Sequence, residues 1–287
     1  MSRLLLASWL ALGVAVVLGT LADVPPPRQV QTLDGYQVLQ ADFHVHPWPG
    51  SAATLAPWDL VWSARYQGLD VIAVSGHNET WSGRAARWTS RHMGGALAIA
   101  GEEVHGPRFH MIAVGIERPV SWRLPALEAI RQIHAQGGVA IAAHPVASAW
   151  PAFDAASRRE LDGTEVMQPI AFTPPYGDEL RQFYRATGAA AIGSSDYHGL
   201  GPLGLSRTFV FAKEATEAGV LEALRAHRTV VFDDRGRAYG DPQCIRLAQE
   251  GGLHASAAPD GWAAAASRVL ALVALLGLVL TQGRTRG

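Results

Sequence analysis

The chain has 287 residues, nearly half of them apolar, which is enough to bury one substantial core and argues against a fibrous or largely disordered protein. Its 25 acidic and 24 basic residues leave a net charge of −1, so no field of one sign favours nucleic acid as a partner. The single cysteine, Cys244, excludes an internal disulfide and every cysteine-based zinc motif, so nitrogen and oxygen atoms would have to hold any metal.

Residues 1–24 are predicted to be a signal peptide or an N-terminal membrane anchor. Arg3 is followed by an uncharged apolar run over residues 4–22, which ends in small residues that fit a cleavage site. The run is also about long enough to span a bilayer. A buried helix of a soluble domain is the alternative, but three prolines at 25–27 separate the run from the rest of the chain.

Residues 30–249 are predicted to form one α/β domain, because short β-rich runs alternate with helical patterns. Several of these runs are apolar throughout, which is typical of strands buried on both faces. The predicted strands are 38–43, 71–74, 96–100, 111–114, 139–143, 164–167, 190–193 and 208–211, and the predicted helices are 58–66, 124–136, 178–187 and 216–227. This pattern indicates a barrel or a doubly wound sheet, in which the chemistry gathers at the carboxyl ends of the strands.

After this domain, residues 250–261 form a predicted linker and residues 262–281 a possible C-terminal membrane helix. The apolar stretch is interrupted by Ser267 and Arg268, so a core helix is the alternative. Arginines lie outside both apolar runs, and positive flanks tend to stay cytoplasmic. We therefore expect a membrane-associated protein whose catalytic domain is extracytoplasmic, in the periplasm or at the cell exterior.

Histidines and carboxylates recur at the predicted strand ends. His44 and His46 are one residue apart on a strand, so their imidazoles point the same way and form half a metal site. Asp196 and His198 repeat this spacing. The other candidates are His77, Glu102, Glu103, His110 and His144. Such groups are costly to bury together unless cations bind them, so the sequence predicts a metal centre.

These motifs resemble, in order, those of the PHP (polymerase and histidinol phosphatase) superfamily, and within it the metallohydrolases similar to carbaryl hydrolases. The resemblance runs through residues 42–46, 69–78, 101–103, 110, 143–145, 193–198 and 221–230. It implies an α/β fold, a distorted seven-stranded βα barrel, and the apolar runs at both ends of the chain predict flanking N- and C-terminal hydrophobic helices. It also implies two or three divalent metal ions.

The resemblance implies three sets of metal ligands. They are His44, His46, Glu103 and Asp196 for one ion, Glu103, His110 and His144 for a second, and His77 with His198 for a third. Glu103 fits the Gly-x-Glu spacing of the family better than Glu102. Two departures weaken the third set, because Gly76 stands where the family usually has Asp and no His or Asp follows shortly after His46. We expect two firmly bound ions of zinc, manganese or iron.

The resemblance further implies metal-dependent hydrolysis by a metal-bridging hydroxide. If the third site is empty, His77 and His198 are free to act as catalytic residues that orient the substrate or protonate the leaving group. Small-molecule phosphoesters are the leading substrates, and carbamates, esters or amides are the alternative. A non-catalytic, membrane-tethered metal-binding module is the remaining interpretation.

The sequence leaves the roles of some other residues open. His105 lies close to Glu103 in sequence and is a candidate partner for a metal ligand. Arg207 and Arg84 are either substrate contacts or solvated charges. Four tryptophans line an apolar pocket or belong to the core, namely Trp48, Trp58, Trp62 and Trp81. The remaining histidines do not match the ligand positions of the family, and they are His92, His134, His227 and His254.

Overall fold

The computed structural model describes residues 3–22, 29–199, 201–254 and 262–283. The helices are α1 (Arg3–Ala22), α2 (Pro57–Tyr66), α3 (Trp81–Met93), α4 (Ala126–His134), α5 (Ala155–Glu160), α6 (Tyr176–Thr187), α7 (Glu217–Arg225), α8 (Pro242–Glu250) and α9 (Trp262–Gly283). The strands are β1 (Gln31–Leu33), β2 (Tyr36–Val45), β3 (Val71–His77), β4 (Leu97–Gly106), β5 (Phe109–Val114), β6 (Val139–Ala143), β7 (Gly163–Met167), β8 (Ala190–Gly193), β9 (Thr208–Ala212), β10 (Thr229–Phe232) and β11 (Ala238–Gly240). The chain divides into two compact units, one with α1 and α9 and the other with all the strands.

The strands form one sheet that nearly closes into a barrel. Its order is β11–β10–β9–β2–β3–β4–β5–β6–β7–β8, with β1 beside β2. The neighbours β2, β3 and β4 are parallel, as are β6, β7 and β8, whereas β5 is antiparallel to β4 and β6. Ala191 of β8 packs with Val231 of β10, which brings the two ends of the sheet together.

The predicted α/β barrel is confirmed, but the predicted count of seven strands is wrong, because the described residues contain eleven. Sequence patterns missed β1, β10 and β11, which have only three or four residues each and carry little periodicity. They also missed α3, α5 and α8. Helix α3 buries small side chains such as Ser82, Ala86 and Thr89, so its sequence shows no apolar stripe.

Alternation along the strands decides which side chains reach the barrel interior. On β3, Val71 and Ala73 belong to the interior core, whereas Ile72 and Val74 pack outward with residues of α2 and α3. On β4, Ile99 is an interior residue. The side chain of every second residue faces the same side of a strand, so the interior series of β3 and β4 continue to the functional residues at the strand ends.

Helix α3 lies directly on the sheet because of a glycine. A Cβ atom on Gly83 would stand 2.7 Å from the backbone oxygen of Val74 and 2.8 Å from the backbone nitrogen of Gly101. Both neighbours are backbone atoms of buried strands, so neither can move away easily. The close approach of α3 to β3 and β4 therefore requires glycine at this position.

Helices α1 and α9 form a unit of their own and contact each other through small residues. Ser8, Ala15 and Ala274 are buried, and the Ser267 hydroxyl donates a hydrogen bond to the Ala15 carbonyl at 2.7 Å. Both terminal apolar runs are thus helical, but among the described residues no helix reaches the length and hydropathy of a membrane span. The expected membrane helices are therefore not supported. The signal peptide stays a prediction, and most of the predicted linker, residues 255–261, lies outside the described residues.

Candidate metal centre

Six segments of the barrel bring the predicted ligands to one end. His44 is in β2 and His46 directly follows it, and His77 is the last residue of β3. Glu103 is near the end of β4. His144 directly follows β6, and Asp196 and His198 follow β8. Strand β5 runs the opposite way, so His110 near its start lies at this same end. The eight predicted ligands therefore meet in one place.

An irregularity in β2 turns the histidine pair inward. Leu39, Ala41 and Phe43 face the interior core, yet Val45 packs in the outer cluster beneath α2 and α3. The pairing of β2 with β3 shifts between Asp42 and Val45, as in a β-bulge. This shift reverses the alternation after Phe43 and points the following histidines into the barrel.

Glu103 lies at the centre of the cluster. Its Oε1 is 3.0 Å from His110 Nδ1 and 3.2 Å from His144 Nε2. Its Oε2 is 3.5 Å from His46 Nε2, 3.6 Å from His44 Nε2 and 3.4 Å from His77 Nε2. The two carboxylate oxygens thus face different groups of imidazoles, which is the position a bridging ligand needs.

Asp196 completes the group around the first histidine pair. Its Oδ1 is 3.1 Å from His46 Nε2 and 3.3 Å from His44 Nε2. The loop that carries it is fixed to β2 by the backbone, because the His46 amide donates to the Tyr197 carbonyl and the Tyr197 amide to the His44 carbonyl. The donor atoms of His44, His46 and Asp196 lie within 4.8 Å of one another, close enough to hold one ion.

The predicted third group is more exposed than the first histidine pair. His77 and His198 have side chains that are each 32 % exposed, whereas those of His44 and His46 are fully buried. The donor atoms of His77, His198 and His46 also lie within 4.8 Å of one another. His77 and His198 thus border the opening, as does His110, whose side chain is 37 % exposed.

Sequence reasoning missed Glu165 of β7, which is fully buried beside the predicted ligands. Its Oε1 accepts from His44 Nδ1 at 2.8 Å and from the Ser194 hydroxyl, and its Oε2 accepts from the His144 amide at 2.6 Å. One carboxylate therefore fixes the ring of His44 and the backbone of His144. A lone glutamate inside an apolar strand is the signal that points to such a partner.

Burial and neighbouring charges set the protonation of the cluster. Burial would lower the pKa of His44, but the carboxylates of Glu165, Asp196 and Glu103 raise it well above its ordinary value. Burial lowers the pKa of His46 to about 4 despite its bond to Asp196. For Glu103, burial opposes ionisation, yet His44 and the facing imidazoles of His105, His110 and His144 hold its pKa well below the usual range. Glu103 is thus ionised at neutral pH, and His46 is neutral.

The donor set fits divalent cations. Within the described residues, His44 Nε2 and His110 Nδ1 are buried without a hydrogen-bond partner, although both face carboxylate oxygens of the cluster. A cation between each nitrogen and its facing oxygen would satisfy both groups. His144 and Asp196 also have positive φ angles of 28° and 47°, and strained backbone of this kind clusters at functional sites. The ligand roles of individual residues stay predictions.

The direction of the side chains shows whether positions 76 and 102 belong to the cluster. A Cβ atom on Gly76 would collide with the carboxylate of Glu79 and approach Ser82 at the start of α3. Position 76 therefore faces the outer helices, and the glycine there removes no ligand from the cluster. Glu102 also points outward, where it accepts from the Val120 amide at 2.5 Å and burial raises its pKa to about 7. Glu103, not Glu102, is the cluster carboxylate.

The arginine and tryptophan candidates lie in other environments. Arg207 donates to Gln40 Oε1 at 2.6 Å and to the Gly204 carbonyl, so it holds two segments of the domain together. The four tryptophans singled out in the sequence are all exposed, so the core interpretation is wrong. Trp58 and Trp62 line a groove between α2 and α3 with other residues of those helices.

Comparisons with known proteins agree with this fold. A family model described as PHP-associated matches residues 178–229, a stretch that contains Asp196 and His198. Among solved structures, the chain is similar to a two-domain protein of Bacteroides vulgatus that contains a predicted PHP-like metal-dependent phosphoesterase. The TM-score is 0.62 and the identity 25 %, over 79 % of this chain and 73 % of that one.

A sequence relative extends the match. The chain is 27 % identical over 141 residues to an uncharacterized protein of Methanocaldococcus jannaschii. This match covers 45 % of this chain and 81 % of that protein. The similarity to carbaryl hydrolases stays a prediction.

Proposed function

Because this chain belongs to the PHP superfamily, we propose that it is a metal-dependent hydrolase that cleaves phosphoesters. The observation that carries the proposal is the position of Glu103, whose two oxygens face separate groups of histidines. Two cations held in this way would lie close to one another. Paired cations suit a phosphoryl group, which presents several negative oxygens at once.

The protein supplies the remaining parts of the reaction. When bound, divalent cations activate water and neutralise charge on the phosphoryl oxygens. His44 and His46 are buried and act only as holders, with His44 fixed by Glu165. His198 is partly exposed at the opening, and its Nδ1 lies 2.9 Å from the carbonyl oxygen of Asp196. With Nδ1 donating to that carbonyl, Nε2 is the ring nitrogen that can take up a proton, from the attacking water or from solvent, and pass it to the leaving oxygen.

A pair of variants tests the proposal. Purified full-length protein is assayed with added zinc, manganese or iron on p-nitrophenyl phosphate, bis(p-nitrophenyl) phosphate, p-nitrophenyl acetate and an oligonucleotide. Glu103→Gln removes the bridging charge, whereas Glu102→Gln makes the same change one residue away on the outward face. Since the pKa of Glu102 is already raised to about 7, the amide is a close mimic of its neutral form.

We expect metal-dependent turnover of a phosphate substrate. Glu103→Gln should lower it by more than about 100-fold together with the bound metal, because it removes a ligand rather than a supporting group. Glu102→Gln should stay near the wild-type rate. Turnover of the acetate alone would favour the carbamate, ester or amide alternative, and abundant metal without turnover of any substrate would contradict enzymatic function.

The extracytoplasmic location stays a prediction, because it rests on the apolar run and flanking charges of the N-terminal segment. Fractionation of a bacterial host that expresses the full chain would test it. Recovery of the protein in the periplasm or outside the cell agrees with the prediction, and recovery in the cytoplasm contradicts it.

A further inference from the structure

We propose that His105 is a metal ligand that, with His77 and Glu103, forms a third cation site. This inference concerns cation binding alone and holds whether or not the substrate is a phosphoester. Sequence comparison with the family left His77 and His198 short of a ligand, because no His or Asp follows shortly after His46. The barrel provides a substitute from a different strand.

The three side chains surround one space. His105 Nε2 is 2.8 Å from Glu103 Oε2, and His77 Nε2 is 3.4 Å from the same oxygen. The two rings have their centroids 4.2 Å apart. One donor atom from each of the three residues lies within 4.8 Å of the other two, which matches the spacing of the other groups in the centre. Two imidazoles and a carboxylate are a common set for zinc and related cations.

The sheet explains why His105 points here. It is two residues after Glu103 on β4, so both side chains face the interior. His110 is directly opposite it on β5, and the two rings stack 3.9 Å apart with only 4° between their planes. His105 faces Oε2 of the carboxylate while His110 faces Oε1. Parallel rings thus serve opposite sides of Glu103, His110 with His144 and His105 with His77.

Asn78 fixes the two strands that carry this pair. Its side-chain oxygen accepts a hydrogen bond from the backbone amide of His105 at 2.9 Å. Its backbone amide donates to the backbone carbonyl of Glu103 at 3.0 Å. Asn78 directly follows His77, so the positions of His77 and His105 are set by the same residue. Rigid support of this kind is what a metal site requires of its ligands.

The loop after His46 contributes a hydroxyl instead of a ligand. Ser51 Oγ lies 3.1 Å from His46 Nδ1 and accepts from the His77 amide at 3.2 Å. It orients both histidines but carries no charge. With His77 assigned to the third cation, His198 is the exposed histidine left free for proton transfer.

The competing role for His105 is a simple hydrogen bond to Glu103, and two variants separate the roles. His105→Gln keeps a side-chain N–H donor but cannot replace the imidazole as a ligand, whereas His105→Ala removes both functions. His92→Gln is the matched control, because His92 is exposed on α3 and its ring stacks on Trp88. Full-length proteins are loaded with zinc, desalted and measured by elemental analysis.

We expect about three zinc ions for the wild type and for His92→Gln, and one fewer for both His105 variants. Retention of every ion in His105→Gln overturns the proposal, since a hydrogen bond would then be the whole role of His105. If both His105 variants lose one ion but the wild type has no phosphatase activity, the proposed third site still holds. That result would contradict only the proposed function.

Crystals of the wild-type protein grown with zinc provide a measurement that does not depend on the folding of variants. Anomalous density about 2.0–2.1 Å from Nε2 of both His77 and His105 supports the proposal. Zinc at the other two sites without density here overturns it.

Discussion

Glu165 should control how tightly the centre holds its cations, although it is not itself a predicted ligand. Its carboxylate accepts from three donors, the ring of His44, the hydroxyl of Ser194 and the amide of His144. In Glu165→Gln one oxygen becomes an NH₂ group, so at least one buried donor then faces another donor. An unsatisfied buried group of this kind costs about 1–3 kcal/mol.

The loss should appear mainly in metal affinity. Without the carboxylate, the ring of His44 is no longer held with Nε2 toward Asp196 and Glu103. Loss of such an outer partner typically weakens metal binding by about 10–100-fold, or about 1.4–2.8 kcal/mol. Competition with a chelator of known affinity measures the dissociation constant, and urea unfolding of the chelated protein measures stability separately.

Thr164→Val is the control on the same strand. Thr164 is buried, and within the described residues its hydroxyl has no hydrogen-bond partner, so the isosteric valine should leave stability unchanged or slightly higher and metal affinity unaffected. Equal metal affinity for Glu165→Gln and wild type would refute the idea that Glu165 orients His44.

Two further changes test the centre and its scaffold. The raised pKa of His44 means that the cation-free protein holds a proton there at neutral pH, so binding a cation must displace it, and affinity should rise with pH by up to about tenfold per unit for each proton released. His46, with a pKa lowered to about 4, is already neutral and does not add to this dependence. Calorimetry in buffers of different ionisation enthalpy measures the protons released between pH 6 and 8, and no release would contradict the assignment. Gly83→Ala should lower the free energy of unfolding by about 1–3 kcal/mol in urea despite the better helix propensity of alanine, because its Cβ meets strand backbone, and an unchanged midpoint would mean that α3 can shift.

The sequence predicts the parts of this protein that depend on local pattern. Continuous apolar runs reveal the buried strands, and the i, i+2 spacing of His44 and His46 reveals their shared direction. Since parallel strands end at one edge, the ligands that follow them could be expected to meet. Sequence patterns do not predict strands β10 and β11, because so short a strand depends on its neighbours for stability rather than on its own composition.

The inner surroundings of the cluster could not be predicted in the same way. The direction of Gly76 follows from alternation along β3, but only the fold shows that Glu79 occupies the space beside it. Glu165 looks like any polar residue in a strand until the fold brings its side chain to His44 of β2. The contact between His44 and Glu165 joins residues 121 positions apart, and no local pattern encodes it.

Rigidity and strain are divided unequally among the predicted ligands. His44, Glu103 and His110 are on strands of the sheet, where neighbouring strands fix their backbone. Asp196 is in a loop with a positive φ, and that loop is held by Asp42, whose buried carboxylate accepts from the Ser195 amide at 3.1 Å and the Gly204 amide at 2.9 Å. Because Asp42 is on the same strand as His44, one short segment sets both a ligand and the anchor of the opposite loop. The first ion should therefore meet an almost complete set of donors, with little ordering left to oppose binding.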